Sequence, residues 1–183
     1  LCSINEKFAI NSDIIVQNRK GLIDKINSSI NDVYKSISTD DIGLKLQYIP
    51  SIEYCENYQN KVKTILEENY SVDVEKTFTS FGPQKDDYKM LSNGEDVCNK
   101  CSTGQNKLIV IALKLCVLDL LNKDGNDPIL ILDDIFSEID KENSKKLLEY
   151  LKRFKQVFIT STNSIDGIPN KYHVINNRII KEE

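Results

Sequence analysis

The run Ile129-Leu130-Ile131-Leu132-Asp133-Asp134 constrains the fold more than any other segment of this chain. Four consecutive apolar residues read as a buried strand, the kind that parallel sheets of α/β proteins bury on both faces. That strand delivers two carboxylates to its C-terminal edge, where open α/β sheets place ligands. Neighbouring side chains of a strand point to opposite faces, so the two acids cannot serve the same one. One can reach a metal ion while the other points toward a water molecule. Taken alone, Asp133 and Asp134 read more readily as turn or helix caps, or as acids paired by chance. Ser137-Glu138-Ile139-Asp140 just downstream and the apolar run Gln156–Thr160 favour the ligand-facing alternative.

Composition narrows the class. With 183 residues, 40% apolar and 28% charged, the chain suits one domain, or one domain with an attached arm. Its longest purely apolar run, residues 108–113, is far too short to span a bilayer, and no signal-peptide pattern opens the sequence. The expectation is a soluble, cytoplasmic protein with no membrane partner. Because the first residue is Leu1 rather than Met, a piece of a longer protein is expected.

A net charge of −4 argues against nucleic-acid binding by the whole surface. The cluster Lys145, Lys146, Lys152, Arg153 and Lys155 reads as a solvated helix face. Five scattered cysteines do not make a secreted disulfide framework. Cys98 and Cys101 form a C-x-x-C without a second pair, so coincidence is favoured over a metal or redox role. His173 is the only histidine, which makes a Ser/His/Asp triad an unsuitable reading.

The first part of the chain, residues 1–75, reads as a small helical arm. Ile14, Ile15, Leu22, Ile26 and Ile30 recur near the helical period, Leu44–Ile49 suits a strand ended by Pro50, and residues 53–68 suit another helix. Residues 76–183 turn to α/β texture. A strand is expected over 77–81 and a polar loop over 82–87, followed by a hairpin across Asn93-Gly94. A helix over 103–122 is apolar on nearly every side and must be buried, with the sheet as the expected partner. Residues 125–128 read as a turn. Asp140 can cap a helix of roughly fourteen residues, with Leu147, Leu148 and Leu151 buried, and a second hairpin crosses Asn176-Asn177.

Ser102-Thr103-Gly104-Gln105 opens the apolar helix. Small residues at that point are commonly plain caps. A hydroxyl, a glycine amide and a helix N-terminus together also suit an anion, because unpaired N–H groups and the helix dipole favour phosphate.

The segment 82–87, the Asn93-Gly94 hairpin, Ser102-Thr103-Gly104-Gln105 and the stretch from Ile129 to Asp140, in that order, resemble the C-terminal half of the RecF family. These are bacterial recombination and gap-repair ATPases related to SMC heads. The resemblance is strongest over residues 77–165 and implies an α/β fold: the C-terminal half of an ABC/SMC-type P-loop ATPase head with a helical arm subdomain. It implies that Asp133 organises Mg²⁺ through water and that Asp134 is the general base. Ser102, Thr103, Gly104 and Gln105 would form the signature motif, facing ATP held by the opposing subunit. Ser137 and Asp140 would form the interface loop, and Thr162 would occupy the position where transporters place a switch histidine. Gln84 and Lys85 depart from the His-Arg usual in the family.

The family implies an ATP-driven homodimer with slow hydrolysis that binds double-stranded and gapped DNA and helps RecO and RecR load RecA. Other SMC-related or ABC ATPases, and a degenerate dimerisation module, remain alternatives. No G-x-x-x-x-G-K-[ST] occurs, and none of the seven glycines precedes a lysine. The phosphate cradle is expected in a separate N-terminal half, so this chain alone should neither hold ATP firmly nor hydrolyse it.

Overall fold

The computed structural model describes residues 2–122, 128–175 and 177–182. Apolar spacing builds the arm. In α1 (Cys2–Asn27), Ala9, Val16, Ile23 and Ile26 are buried on one side. In α2 (Ile30–Ile37), Ile30, Val33, Tyr34 and Ile37 fall at i, i+3, i+4 and i+7 and are all buried. β1 (Leu44–Ile49) alternates, with Leu44 and Leu46 inward. α3 (Tyr58–Glu68) buries Tyr58, Val62 and Leu66 against α1, making a cluster with Ala9, Val16 and Ile52. The helix expected from residue 53 starts only at Tyr58, whose N–H closes a turn on Cys55 O at 3.1 Å.

α4 (Tyr70–Lys76) occupies the approach to residues 77–81, where a strand was expected. No strand forms there. Thr77 stops the helix in the left-handed region (φ 62°), and the Asp73 carboxylate takes the Ser80 N–H at 3.0 Å. Such local side-chain bonding satisfies backbone groups that a strand would have needed to pair.

β2 (Asp87–Ser92) lies antiparallel to β1 and joins β3 (Glu95–Asp96) across Asn93-Gly94. Both turn residues have positive φ (48° and 88°), as the tight hairpin turn requires. The free edge of β1 is closed by two asparagine amides. Asn27 bonds the N–H and C=O of Leu46 at 2.7 and 2.9 Å, and Asn31 bonds those of Leu44 at 2.7 and 3.0 Å. Each amide stands in for a strand neighbour, so the edge offers fewer unpaired groups to other chains.

α5 (Val97–Lys100) leads into α6 (Thr103–Leu121). β4 (Ile129–Asp133), α7 (Lys141–Leu151) and β5 (Gln156–Thr160) follow, with β4 and β5 paired in parallel. β6 (Tyr172–Ile175) and β7 (Arg178–Lys181) form an antiparallel hairpin. The turn expected over 125–128 lies outside the described residues except for Pro128, as does Asn176 of the hairpin turn.

The main core unites Ile23, Ile26, α2 and β1 with α5, α6, Leu130 and α7. It therefore crosses the 75/76 division drawn from sequence texture, as does the β1–β2 ladder. α6 packs chiefly against α2 rather than against a broad sheet. β4 is not buried on both faces. Leu130 is buried, but Ile129 and Ile131 are exposed, as is Phe158 on β5. α7 has eleven residues, buries Asn143, Leu147 and Leu151, and leaves Leu148 half-buried. Among the described residues no helix is long and apolar enough to cross a membrane.

Candidate functional site

The start of α6 is a complete capping box. Ser102 Oγ accepts the Gln105 N–H at 3.2 Å, and Gln105 Oε1 accepts the Ser102 N–H at 2.9 Å. Ser102 and Thr103 are exposed, whereas Gly104 and Gln105 are half-buried. The first turn of a helix leaves N–H groups without intrahelical acceptors, and those of Thr103 and Gly104 stand at these positions. Gly104 is demanded by packing. A Cβ there would lie 2.7 Å from the carbonyl oxygen of Glu138, a backbone atom that cannot swing aside.

The same contact brings in the loop after β4. Asp133 ends the strand opposite Thr160 of β5, and the Thr160 hydroxyl donates a hydrogen bond to its carboxylate. Asp134 leaves the strand in the left-handed region, at φ 43°. Its N–H is held by Thr160 O and Oγ1 at 3.1 and 3.2 Å. This turn sends the two carboxylates along different paths from a common edge. Asp134 Oδ1 is buried and has no hydrogen-bond partner among the described residues, a costly arrangement for a carboxylate oxygen unless a ligand completes it.

Lys107, one turn into α6, ties the two halves of the site together. Its ammonium reaches Asp134 O at 3.3 Å, Ser137 Oγ at 3.2 Å and Glu138 Oε2 at 3.7 Å. Ser137 Oγ also donates to Asp134 O at 3.1 Å. Asp140 caps α7. Its Oδ1 takes the N–H groups of Glu142 and Asn143, both at 3.0 Å, while Oδ2 takes the Asn143 amide at 2.6 Å. Donation from the Asn143 N–H is the chief reason that the Asp140 carboxyl titrates below its ordinary value. Between α6 and α7 lies a cleft of about 250 Å³, lined by Ser102, Gly104, Gln105, Glu138 and Asp140 together with Thr39 and Asp40.

The structure thus gathers Ser102, Thr103, Gly104 and Gln105 beside the loop that carries Ser137 and Asp140, with the two acids at its root. Thr162 stands apart from them. It is exposed beyond the end of β5 and makes no side-chain hydrogen bond to either acid among the described residues. Gln84 is engaged locally, donating to Thr79 Oγ1 and Phe81 O at 2.8 Å, and the Lys85 ammonium lies over the Phe78 ring. Cys98 is exposed and Cys101 half-buried, and no cluster suited to a metal ion occurs among the described residues. Sequence reasoning missed Lys107, Thr160 and Asp40. A lone lysine or threonine carries no periodic signal, although Lys107 could have been suspected from its place one turn after Gly104.

The fold is that of a portion of an ABC/SMC-type ATPase head. A solved SMC ATPase structure superposes with a TM-score of 0.51 over 94% of this chain and 89% of its own, at 12% identity, which speaks to the fold alone. No family model matches the chain. Within that class the chain matches the C-terminal part of RecF proteins over most of its own length. The DNA replication and repair protein RecF of Clostridium novyi (strain NT) is 35% identical over 153 residues, covering 83% of this chain and 42% of the relative. Its counterpart in Staphylococcus aureus (strain USA300) is 31% identical over 191 residues, covering 97% and 51%. The structure of the recombination mediator protein RecF-ATP in the RecFOR pathway matches at TM-score 0.79 and 26% identity, covering 98% of this chain and 49% of that one. The chain spans about half the length of the curated relatives it matches.

Proposed function

We propose that this chain supplies the signature turn and the acid-bearing strand of a RecF-type ATPase acting in DNA replication and repair. The observation that carries this reading is Asp134. It has left-handed backbone and a buried carboxylate oxygen with no partner among the described residues, at the C-terminal edge of a parallel strand pair.

The residues present fit Mg²⁺, a hard cation that takes oxygen ligands and retains several waters. Asp133, steadied by Thr160, would hold it through water. When bound, the ion would neutralise charge on the phosphate oxygens. Asp134 orients the attacking water and accepts its proton. The free N–H groups of Thr103 and Gly104, with the Ser102 hydroxyl, face the terminal phosphate of an ATP held by a second copy. Ser137 and Asp140 shape the loop that crosses between copies. Thr162, on the loop after β5, would serve as the switch residue. Catalysis is then mostly positioning and electrostatics.

In this reading the assembled protein dimerises on ATP and hydrolyses it slowly. It engages double-stranded and gapped DNA and helps RecO and RecR load RecA. Support comes from relatives described as DNA replication and repair proteins, and from a RecF-ATP structure in the RecFOR pathway.

Asp134→Asn in the full-length protein tests the assignment. It should keep ATP binding, lower hydrolysis by about 100-fold or more, and let an ATP-bound dimer accumulate in light scattering. Wild-type turnover without dimer accumulation would remove Asp134 from the role.

A further inference from the structure

The loop between α2 and β1 reaches the signature turn from the arm side. Asp40 Oδ2 accepts a hydrogen bond from Gln105 Nε2 at 2.8 Å, across 65 residues of sequence. Gln105 Oε1 is already committed to the Ser102 N–H at 2.9 Å. Both ends of one planar amide are therefore occupied, and Asp40 decides which way that amide faces. Without it the Gln105 side chain loses its anchor and the capping box loses a reason to stay closed.

The loop is itself held from the other side. Lys146 Nζ donates to Ser38 O at 2.7 Å, and the Thr39 N–H donates to Asn143 Oδ1 at 2.7 Å. Asn143 in turn donates to the cap residue Asp140 at 2.6 Å. The Asp40 N–H donates to Ser38 Oγ at 3.1 Å, which fixes the carboxylate's own backbone. Three consecutive residues thus join the arm to the turn at the head of α6 and to the cap of α7.

We propose that Asp40 is a positioning residue for the signature turn, acting through Gln105. The loop 38–40 would thereby convey the arm's placement to the surface that meets the nucleotide of a second copy. This rests on the reading of residues 102–105 as nucleotide-facing. Asp40 itself touches no substrate.

The test uses the full-length protein. ATP-driven dimerisation is followed by sedimentation and light scattering, with steady-state hydrolysis measured alongside. Asp40→Ala should weaken the ATP-bound dimer about tenfold, the scale of one charge-assisted hydrogen bond. The loss should fall on kcat rather than on KM for ATP. Asp40→Asn keeps a carbonyl oxygen for the Gln105 amide and should recover to within about threefold. The double variant Asp40→Ala with Gln105→Leu should be no weaker than Gln105→Leu alone, because both remove one link. Should Asp40→Ala fail to fold, Gln105→Glu, which keeps an oxygen for the Ser102 N–H and loses only the amide donor to Asp40, should weaken the dimer where Asp40→Asn does not. A wild-type protein that does not dimerise on ATP would overturn the proposed function. Dimerising wild type with an equally strong Asp40→Ala dimer, or with Asp40→Asn as weak as Asp40→Ala, would overturn the positioning role alone.

Discussion

Asp86 shows how a residue that looks like loop filler can hold the arm in place. Its side chain is 1% exposed and accepts from the Arg19 guanidinium at 2.7 Å, from the Ser51 N–H at 2.8 Å and from the Tyr48 hydroxyl. Arg19 also donates to Pro83 O at 2.5 Å, so one cation ties α1 to the 82–87 loop. Burial, with the bond to Asp86 second, pushes the Tyr48 phenol well above its ordinary range. Removing a buried carboxylate is costlier than removing an exposed one, because its partners are left unpaired in a poor solvent. Asp86→Ala should therefore cost about 3 kcal/mol, read as a lower urea midpoint. A change below about 0.5 kcal/mol would show that water replaces the carboxylate freely.

At the scale of elements, the helix starts decide the site. α6 and α7 begin at opposite sides of the same cleft, one capped by Ser102 and the other by Asp140. Each cap satisfies backbone donors and fixes the direction in which the chain enters its helix. Asp140→Ala should lower stability by about 1 kcal/mol. The pH dependence has a definite sign. The folded-state pKa of Asp140 lies below its ordinary 3.8, so the ionic contribution is complete above that value. It is lost as pH falls through the lower folded value. The stability gap between wild type and Asp140→Ala should thus be constant near neutrality and shrink only below pH 3.8. A gap that stays level in acid would mean that the cap works without its charge.

Over the whole molecule, one face of the parallel pair is largely exposed among the described residues. Ile131 is 73% and Phe158 is 52% exposed, and the β6–β7 hairpin exposes Val174 and Ile179. Two strands alone are marginal, and contiguous apolar surface of this kind usually meets another protein surface. The chain by itself should bind an environment-sensitive hydrophobic dye, and Ile131→Lys with Phe158→Lys should lower the signal. Equal fluorescence from both would place the exposed apolar surface elsewhere.

Local physics was legible in the residues themselves. The bounds of β1, β5 and α6, the Asn93-Gly94 turn and the Asp140 cap follow from periodicity and from side chains bonding their own neighbourhood. The order of short motifs also carried the kinship with RecF. What tertiary structure alone decided was long-range and polar: Thr160 on Asp133, Lys107 on Asp134, Asp40 on Gln105, and two asparagines closing the edge of β1. Such bonds join residues far apart in the chain and repeat at no period. The exposure of Ile131 was equally invisible, because an apolar strand reads the same whether one face or both are covered. Whether a face is covered depends on what packs against it, and that is a property of the assembled fold rather than of the strand.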